Sequence, residues 1–133
     1  ALHAWGIQPR GEGQMTELLN GDAKVEQRDG YVRFWHGRPA ANLEEWGVLR
    51  AAIDALLPEE GGCLVIDSRD SDYTPQDVQA AIWAWLEGSS MKRVAALVQS
   101  ESLAVSLRMR SIAKGVQLKA FADEGEAEAW LRG

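Results

Sequence analysis

The chain has a single cysteine, Cys63, among its 133 residues. No disulfide can close within it, and a reducing cytoplasm is the setting this suggests. Cys63 stands in the apolar run "CLVID", where a buried, inert thiol is expected. Histidine is nearly as scarce, with only His3 and His36. Neither stands in a serine–histidine–acid spacing or beside a cysteine, so no nucleophilic catalysis is expected and the chain reads as non-enzymatic. No apolar run approaches the ~18 residues of a membrane span. No basic start leads into an apolar core at the N-terminus, so no secretory leader is expected. A lysine-bearing phosphate loop is absent, and the acids follow no strong metal-ligand spacing. No cofactor or metal is therefore expected. An excess of positive charge is missing too. The net charge is -6 and the isoelectric point about 4.9, which argues against nucleic-acid binding.

What is present is a globular composition, 46% hydrophobic with a mean hydropathy of -0.26. Its length fits one domain and suffices to bury a core without staples. Residues 1–22 are expected to form an N-terminal arm, Gly-rich and aperiodic, and residues 23–133 a single α/β domain. Met15 is an alternative start, and Trp5 in the arm a candidate for docking on a neighbour. Two short runs flank Asp29-Gly30, a pair favoured in tight hairpins. In the second run Val32, Phe34 and His36 share one face and Tyr31, Arg33 and Trp35 the other. A lone strand-end histidine such as His36 is expected to be structural.

"NLEEWGVLRAAIDALL" then repeats its apolar residues at helical spacing. Asn42 is its expected N-cap with Glu45 at N3, and Pro58 with Gly61-Gly62 closes it. "CLVID" and "RVAALV" read as strands buried on both faces. The segment "SESLAVSLRMRSIAKG" reads as a helix capped by Ser100 or Ser102 and closed by Gly115. "VQLKAF" reads as a wetter, edge-like strand. The last helix has Asp123 as N-cap and Glu126 at N3. The order β-β-α-β-α-β-α-β-α predicts a mixed, mainly parallel sheet opened by a hairpin and covered by about four helices.

Between Asp67 and Thr74 lies a burst of acids and hydroxyls: Asp67, Ser68, Asp70, Ser71, Asp72, Thr74. It follows a strand, the usual place for ligand loops in open α/β sheets. Its strongest reading is a turn, with Thr74 capping a helix that starts at Pro75 and Asp77 in the first turn. Ser71 and Thr74 are candidate phosphoacceptors, with Ser68 behind them. Asp67, Asp70 and Asp72, with Trp83, are the expected contact surface for a partner. Trp83 shares a helix face with Gln79 and Glu87, away from Ile82 and Trp85, and is expected to be the most exposed aromatic. Trp35 is a second candidate. Between Met91 and Ala120 stand six basic residues against one acid, Glu101. Arg108, Arg110 and Lys114 are the candidates for meeting an anionic head group.

The strand "CLVID", the Asp/Ser-rich loop before a helix, the strand "RVAALV" and the ending "LKAFADEGEAEAWL" together resemble the STAS domains. The ending, with Phe121, Asp123, Glu126, Ala127, Trp130 and Leu131, is similar to the SpoIIAA-like, STAS/Sec14-like group of small bacterial proteins. The resemblance implies a non-catalytic regulatory module that binds a protein partner and is switched by phosphorylation. In anti-sigma antagonists the phosphoacceptor serine lies in an Asp-Ser-Ser-Gly stretch, which here is "DSDYTPQD"; Ser71 and Thr74 are the positional analogues. Its Sec14-like side implies a carrier or sensor of a small apolar ligand. Self-association through the edge strand or the arm is a further expectation. The two functions make opposite demands on the interior. An interaction module should expose Trp83 and have a small interior, and a carrier should hold an apolar pocket of several hundred Å³, about the usual size of a small-molecule site.

Overall fold

The computed structural model describes residues 13–59 and 61–133. His3 and Trp5 lie outside them. Six strands form one sheet in the order β1-β2-β3-β4-β5-β6: β1 (Met15–Leu18), β2 (Ala23–Arg28), β3 (Tyr31–His36), β4 (Cys63–Asp67), β5 (Arg93–Leu97) and β6 (Leu118–Phe121). The first three are antiparallel and β3 through β6 are parallel. The helices are α1 (Leu43–Leu56), α2 (Gln76–Gly88), α3 (Glu101–Lys114) and α4 (Glu124–Arg132).

The mixed α/β architecture expected from the strand–helix alternation is present, with one strand more. β1 falls inside the stretch expected to be an arm, and its four residues pair antiparallel with β2. Such a strand is too short and too exposed to leave an alternation in the sequence, and only the hydrogen-bonding edge of β2 reveals it. The hairpin turns at Asp29-Gly30, with Gly30 at φ +88°, where a side chain would be strained. β6 is an edge, as its alternating pattern suggests.

The strand order advances in one direction from β3 to β6. Right-handed crossovers that all move the same way must all lie on the same side of the sheet. Thus α1 and α2 pack on the face carrying Val32, Phe34, Leu64 and Val94, and Leu107 of α3 joins the same core. α4 follows the last strand, makes no crossover, and folds over the other face. There Ala127 and Leu131 meet Tyr31, Val65, Ala95 and Leu97. Strand alternation feeds both cores: Leu64 and Ile66 look one way, Val65 and Asp67 the other.

The caps follow the sequence, with one exception. Asn42 Oδ1 accepts from the Glu45 backbone N–H (2.9 Å), and Glu45 Oε1 accepts from the Ala41 N–H (2.8 Å). Ser100, rather than Ser102, caps α3, and Asp123 caps α4. Thr74 does not cap α2. Pro75 takes the cap position at ψ 147°, one residue later than expected, and has no side-chain acceptor to offer. The side chain of Gln79 reaches back to the Thr74 carbonyl (2.8 Å), and Asp77 accepts from the Val78 N–H (2.9 Å). Cys63 is only half-buried, since it stands at the start of β4.

Candidate functional site

A cavity of about 610 Å³ lies between the sheet and the three helices on its α1–α3 face. Its floor is Phe34, His36 and Ile66 from the sheet, and its walls include Trp46 and Leu49 of α1, Val78, Ile82 and Trp83 of α2, and Leu103 and Leu107 of α3. The lining is mostly apolar because each helix turns its sheet-facing stripe inward. Ser71, Asp72, Tyr73 and Thr74 form part of the lining as well. His36, Ser68 and Val98 end or follow β3, β4 and β5, so the cavity sits at the carboxyl ends of parallel strands.

Trp83 is not an exposed aromatic: it is 5% accessible. The helix face it shares with Gln79 and Glu87 is met by two side chains of α3, which leave Glu87 exposed. Arg110 lies over the Trp83 ring at 5.3 Å and donates to Gln79 Oε1 at 3.0 Å, and Lys114 pairs with Glu87 at 3.2 Å. Three positions spaced by four on α2 thus meet two positions spaced by four on α3. The other flank of α2 meets α1, where Trp85 packs edge-on against Trp46 and donates to Asp54 Oδ1. A helical wheel separates these two flanks correctly. It cannot tell that both have neighbours.

Of the three candidate head-group residues, the structure brings only Arg110 to the cavity. Arg108 is exposed and Lys114 is engaged by Glu87. Among the described residues Arg110 forms no ion pair with a carboxylate; its recorded partners are the Gln79 amide and the Trp83 ring. Arg33 is paired with Asp67 and Glu124, Arg38 with Glu45 and Asp22, and Arg69 with Asp67 and Glu124; Arg93, on the opposite face of the sheet, donates to the Trp130 carbonyl and lies over the Trp130 ring. A half-buried guanidinium with donors to spare is a receptor for an anionic group.

The acidic loop divides between the two faces of the sheet. Asp67 is 2% accessible and turned away from the cavity, so it offers no partner surface. Arg33 reaches it at 2.6 Å and Arg69 at 2.9 Å, and both arginines also hold Glu124 of α4. Burial pushes the Asp67 carboxyl up, but the hydrogen bonds from Arg69 and the charge of Arg33 outweigh it and leave the pKa lowered. Asp70 is exposed and accepts from Trp35 Nε1 at 2.9 Å. Asp72 is exposed, while Ser71 and Thr74 are half-buried in the cavity lining. Among the described residues no cluster of three His, Cys, Asp or Glu side chains is placed to hold a metal ion.

The residues that sequence reasoning passed over are His36 and Ser68 as a pair. Ser68 Oγ lies 2.7 Å from His36 Nε2, and His36 Nδ1 lies 3.3 Å from the Arg38 carbonyl. A carbonyl only accepts, so Nδ1 carries the proton and Nε2 accepts from the Ser68 hydroxyl. Burial lowers the His36 pKa, against the opposing pull of the Arg38 carbonyl and the Asp67 charge, so the ring is neutral at pH 7. The pairing follows from register. Phe34 stands beside Ile66 and Trp35 beside Asp67, which brings the next two residues together. Strand pairing is the one signal that would have found them, and one sequence does not carry it.

No protein-family model matches the chain. No curated protein matches it either. Among solved structures it is similar to an uncharacterised protein of the DUF3478 family, with a SpoIIAA-like fold, from Shewanella loihica PV-4. The TM-score is 0.66 at 17% identity, over 95% of this chain and 99% of that one. The fold is SpoIIAA-like, as the sequence ending and element order suggest. Among the described residues no helix is long and apolar enough to cross a membrane.

Proposed function

We propose that the chain binds a small, mainly apolar molecule with an anionic end, as its carrier or sensor. The observation that carries this reading is the cavity of about 610 Å³ with Trp83 buried in its wall. That volume falls in the range of small-molecule sites, about 300–1,000 Å³. The apolar floor and walls would take the body of the ligand. Arg110, stacked on Trp83, would take its charge. Ser71 and Thr74 share the cavity lining with Arg110, so their phosphorylation would place negative charge in that lining.

The test is native intact-mass spectrometry on the protein purified from its own cells. A non-covalent increment lost on denaturation supports the reading and identifies the ligand. A bare polypeptide mass, together with failure to bind 1-anilinonaphthalene-8-sulfonate, counts against it.

A partner-binding role rests on a different surface from the one expected. Val105, Met109 and Ile112 form an exposed apolar stripe on α3, at 43%, 65% and 75% accessibility. The stripe lies on the helix that also lines the cavity. Occupancy of the cavity and contact at the stripe would then be coupled through α3. Comparing pull-downs by the wild-type chain and by Met109→Glu tests this second reading.

A further inference from the structure

Ser68 and His36 form a hydroxyl–imidazole pair in the lining of the cavity. At 2.7 Å the Ser68 hydroxyl points its proton at the lone pair of His36 Nε2. The ring has little freedom to leave that position. Its far nitrogen is held by the Arg38 carbonyl, and its plane lies parallel to Phe34, 4° apart at a centroid distance of 5.1 Å. The carbonyl takes the orienting role that a carboxylate fills in a serine triad. Both side chains line the apolar cavity, where a bound carbonyl compound would be screened from bulk water.

We infer that Ser68 is a nucleophilic serine, with His36 as its general base, acting on esters of small, mainly apolar carboxylic acids. Ser68 Oγ attacks the ester carbonyl carbon while its proton passes to His36 Nε2. The C–OR bond then breaks, and the alkoxide leaves as the alcohol by taking that proton. The acyl group remains as an ester on Ser68. A water molecule, deprotonated in turn by His36, attacks this ester; the bond between the acyl carbon and Ser68 Oγ breaks, His36 returns the proton to Ser68, and the freed carboxylic acid loses its own proton to solvent and leaves as the carboxylate. The released carboxylate carries the charge that Arg110 can meet. Acylation requires the cavity to admit the ester, and in that respect rests on the ligand-binding reading.

The experiment incubates the full chain with p-nitrophenyl butyrate and, separately, with diisopropyl fluorophosphate, and follows intact mass and peptide maps. One adduct on Ser68 is expected with the fluorophosphate. It should be absent in Ser68→Ala and formed at least about 100-fold more slowly in His36→Gln, the usual scale of base assistance. Release of p-nitrophenol should fall in parallel. Circular dichroism establishes that each variant is folded. Because His36 is buried and His36→Gln risks unfolding, the wild-type peptide map decides alone if that variant fails. An unlabelled Ser68 in the wild-type chain overturns the inference, as does a folded His36→Gln that labels at the wild-type rate. Binding of 1-anilinonaphthalene-8-sulfonate to the wild-type chain separates the two readings. Probe binding with Ser68 unlabelled removes the nucleophile and leaves the ligand site standing. Ser68 labelled without probe binding shows that the cavity admits a small ester and keeps the nucleophile, and counts against the carrier of an anionic ligand.

Discussion

Arg110 on α3 holds its guanidinium carbon 5.3 Å from the centre of the Trp83 ring on α2, while donating to Gln79 at 3.0 Å. The stack fixes the charge in the cavity wall and leaves donors for a ligand. Arg110→Ala should therefore weaken 1-anilinonaphthalene-8-sulfonate by about 1.5–3 kcal/mol, the usual worth of a hydrogen bond to a charged group. Neutral naphthalene should lose far less. Fluorescence titration of both probes checks the difference, and equal losses would mean that the arginine only packs.

Filling the cavity should separate binding from stability. Ser106 lines it from an exposed position on α3. Ser106→Phe should reduce probe affinity by about tenfold or more, since shape mismatch of this kind costs about 1–3 kcal/mol. A thermal melt should stay within a few degrees of wild type. A collapse of the melt together with binding would place Ser106 in the packing instead.

Arg33 joins Asp67 and Glu124 from the centre of the sheet, with 12% of its own side chain accessible. Arg33→Met removes the charge but keeps much of the stem. It should destabilise the fold by about 3 kcal/mol, because a buried carboxylate loses a partner. Urea denaturation measures this. The double variant Arg33→Met, Asp67→Asn should recover part of the loss, and no recovery would show that the pair is not the cause.

Acid should unfold the protein in two stages. The His36 pKa is lowered by burial, so below about pH 6.5 the unfolded chain binds a proton that the folded one resists, and stability falls. Glu124, held by Arg33, and Asp67, held by Arg69 and Arg33, also have lowered values. Their contributions are complete above the ordinary carboxylate range, about pH 4, and are lost as pH falls further. Glu45, lowered to about 2 by Arg38, behaves the same way at the surface. Denaturation midpoints from pH 8 to 2 should decline first near 6 and more steeply below 4.5, and His36→Gln should remove the first decline alone.

Alkali should act through Tyr31. Burial and the 2.6 Å hydrogen bond it donates to Glu128 raise its pKa to about 12. A proton held more tightly in the folded state stabilises that state below the ordinary value of about 10, and the contribution fades from there to 12. Ultraviolet titration should show one tyrosine ionising late. Tyr31→Phe should abolish that step and cost about 1 kcal/mol.

Local chemistry wrote much of this protein directly into its sequence. The two apolar runs "CLVID" and "RVAALV" could only be interior strands. Asn42, Ser100 and Asp123 could mark helix starts because an N-cap needs nothing beyond its own turn. The edge character of β6 follows from its alternation; the SpoIIAA-like fold was legible only as a resemblance, carried by the order of elements and the ending "LKAFADEGEAEAWL". Thr74 does not cap the helix because the short-range preference for proline at the first helical position is not met: Pro75 holds an extended ψ and delays the helix by a residue. The strand Met15–Leu18 left no trace because its order comes from its neighbour β2.

The sequence thus determined the elements and the faces on which their side chains stand, since both depend on periods of two and 3.6 residues. Tertiary structure alone decided which of those faces meet. It buried Trp83 under Arg110, turned Asp67 toward two arginines, and set His36 beside Ser68, 32 positions later in the chain. Contacts of that kind depend on strand pairing and helix neighbours, and these are relations between distant segments that no local pattern encodes.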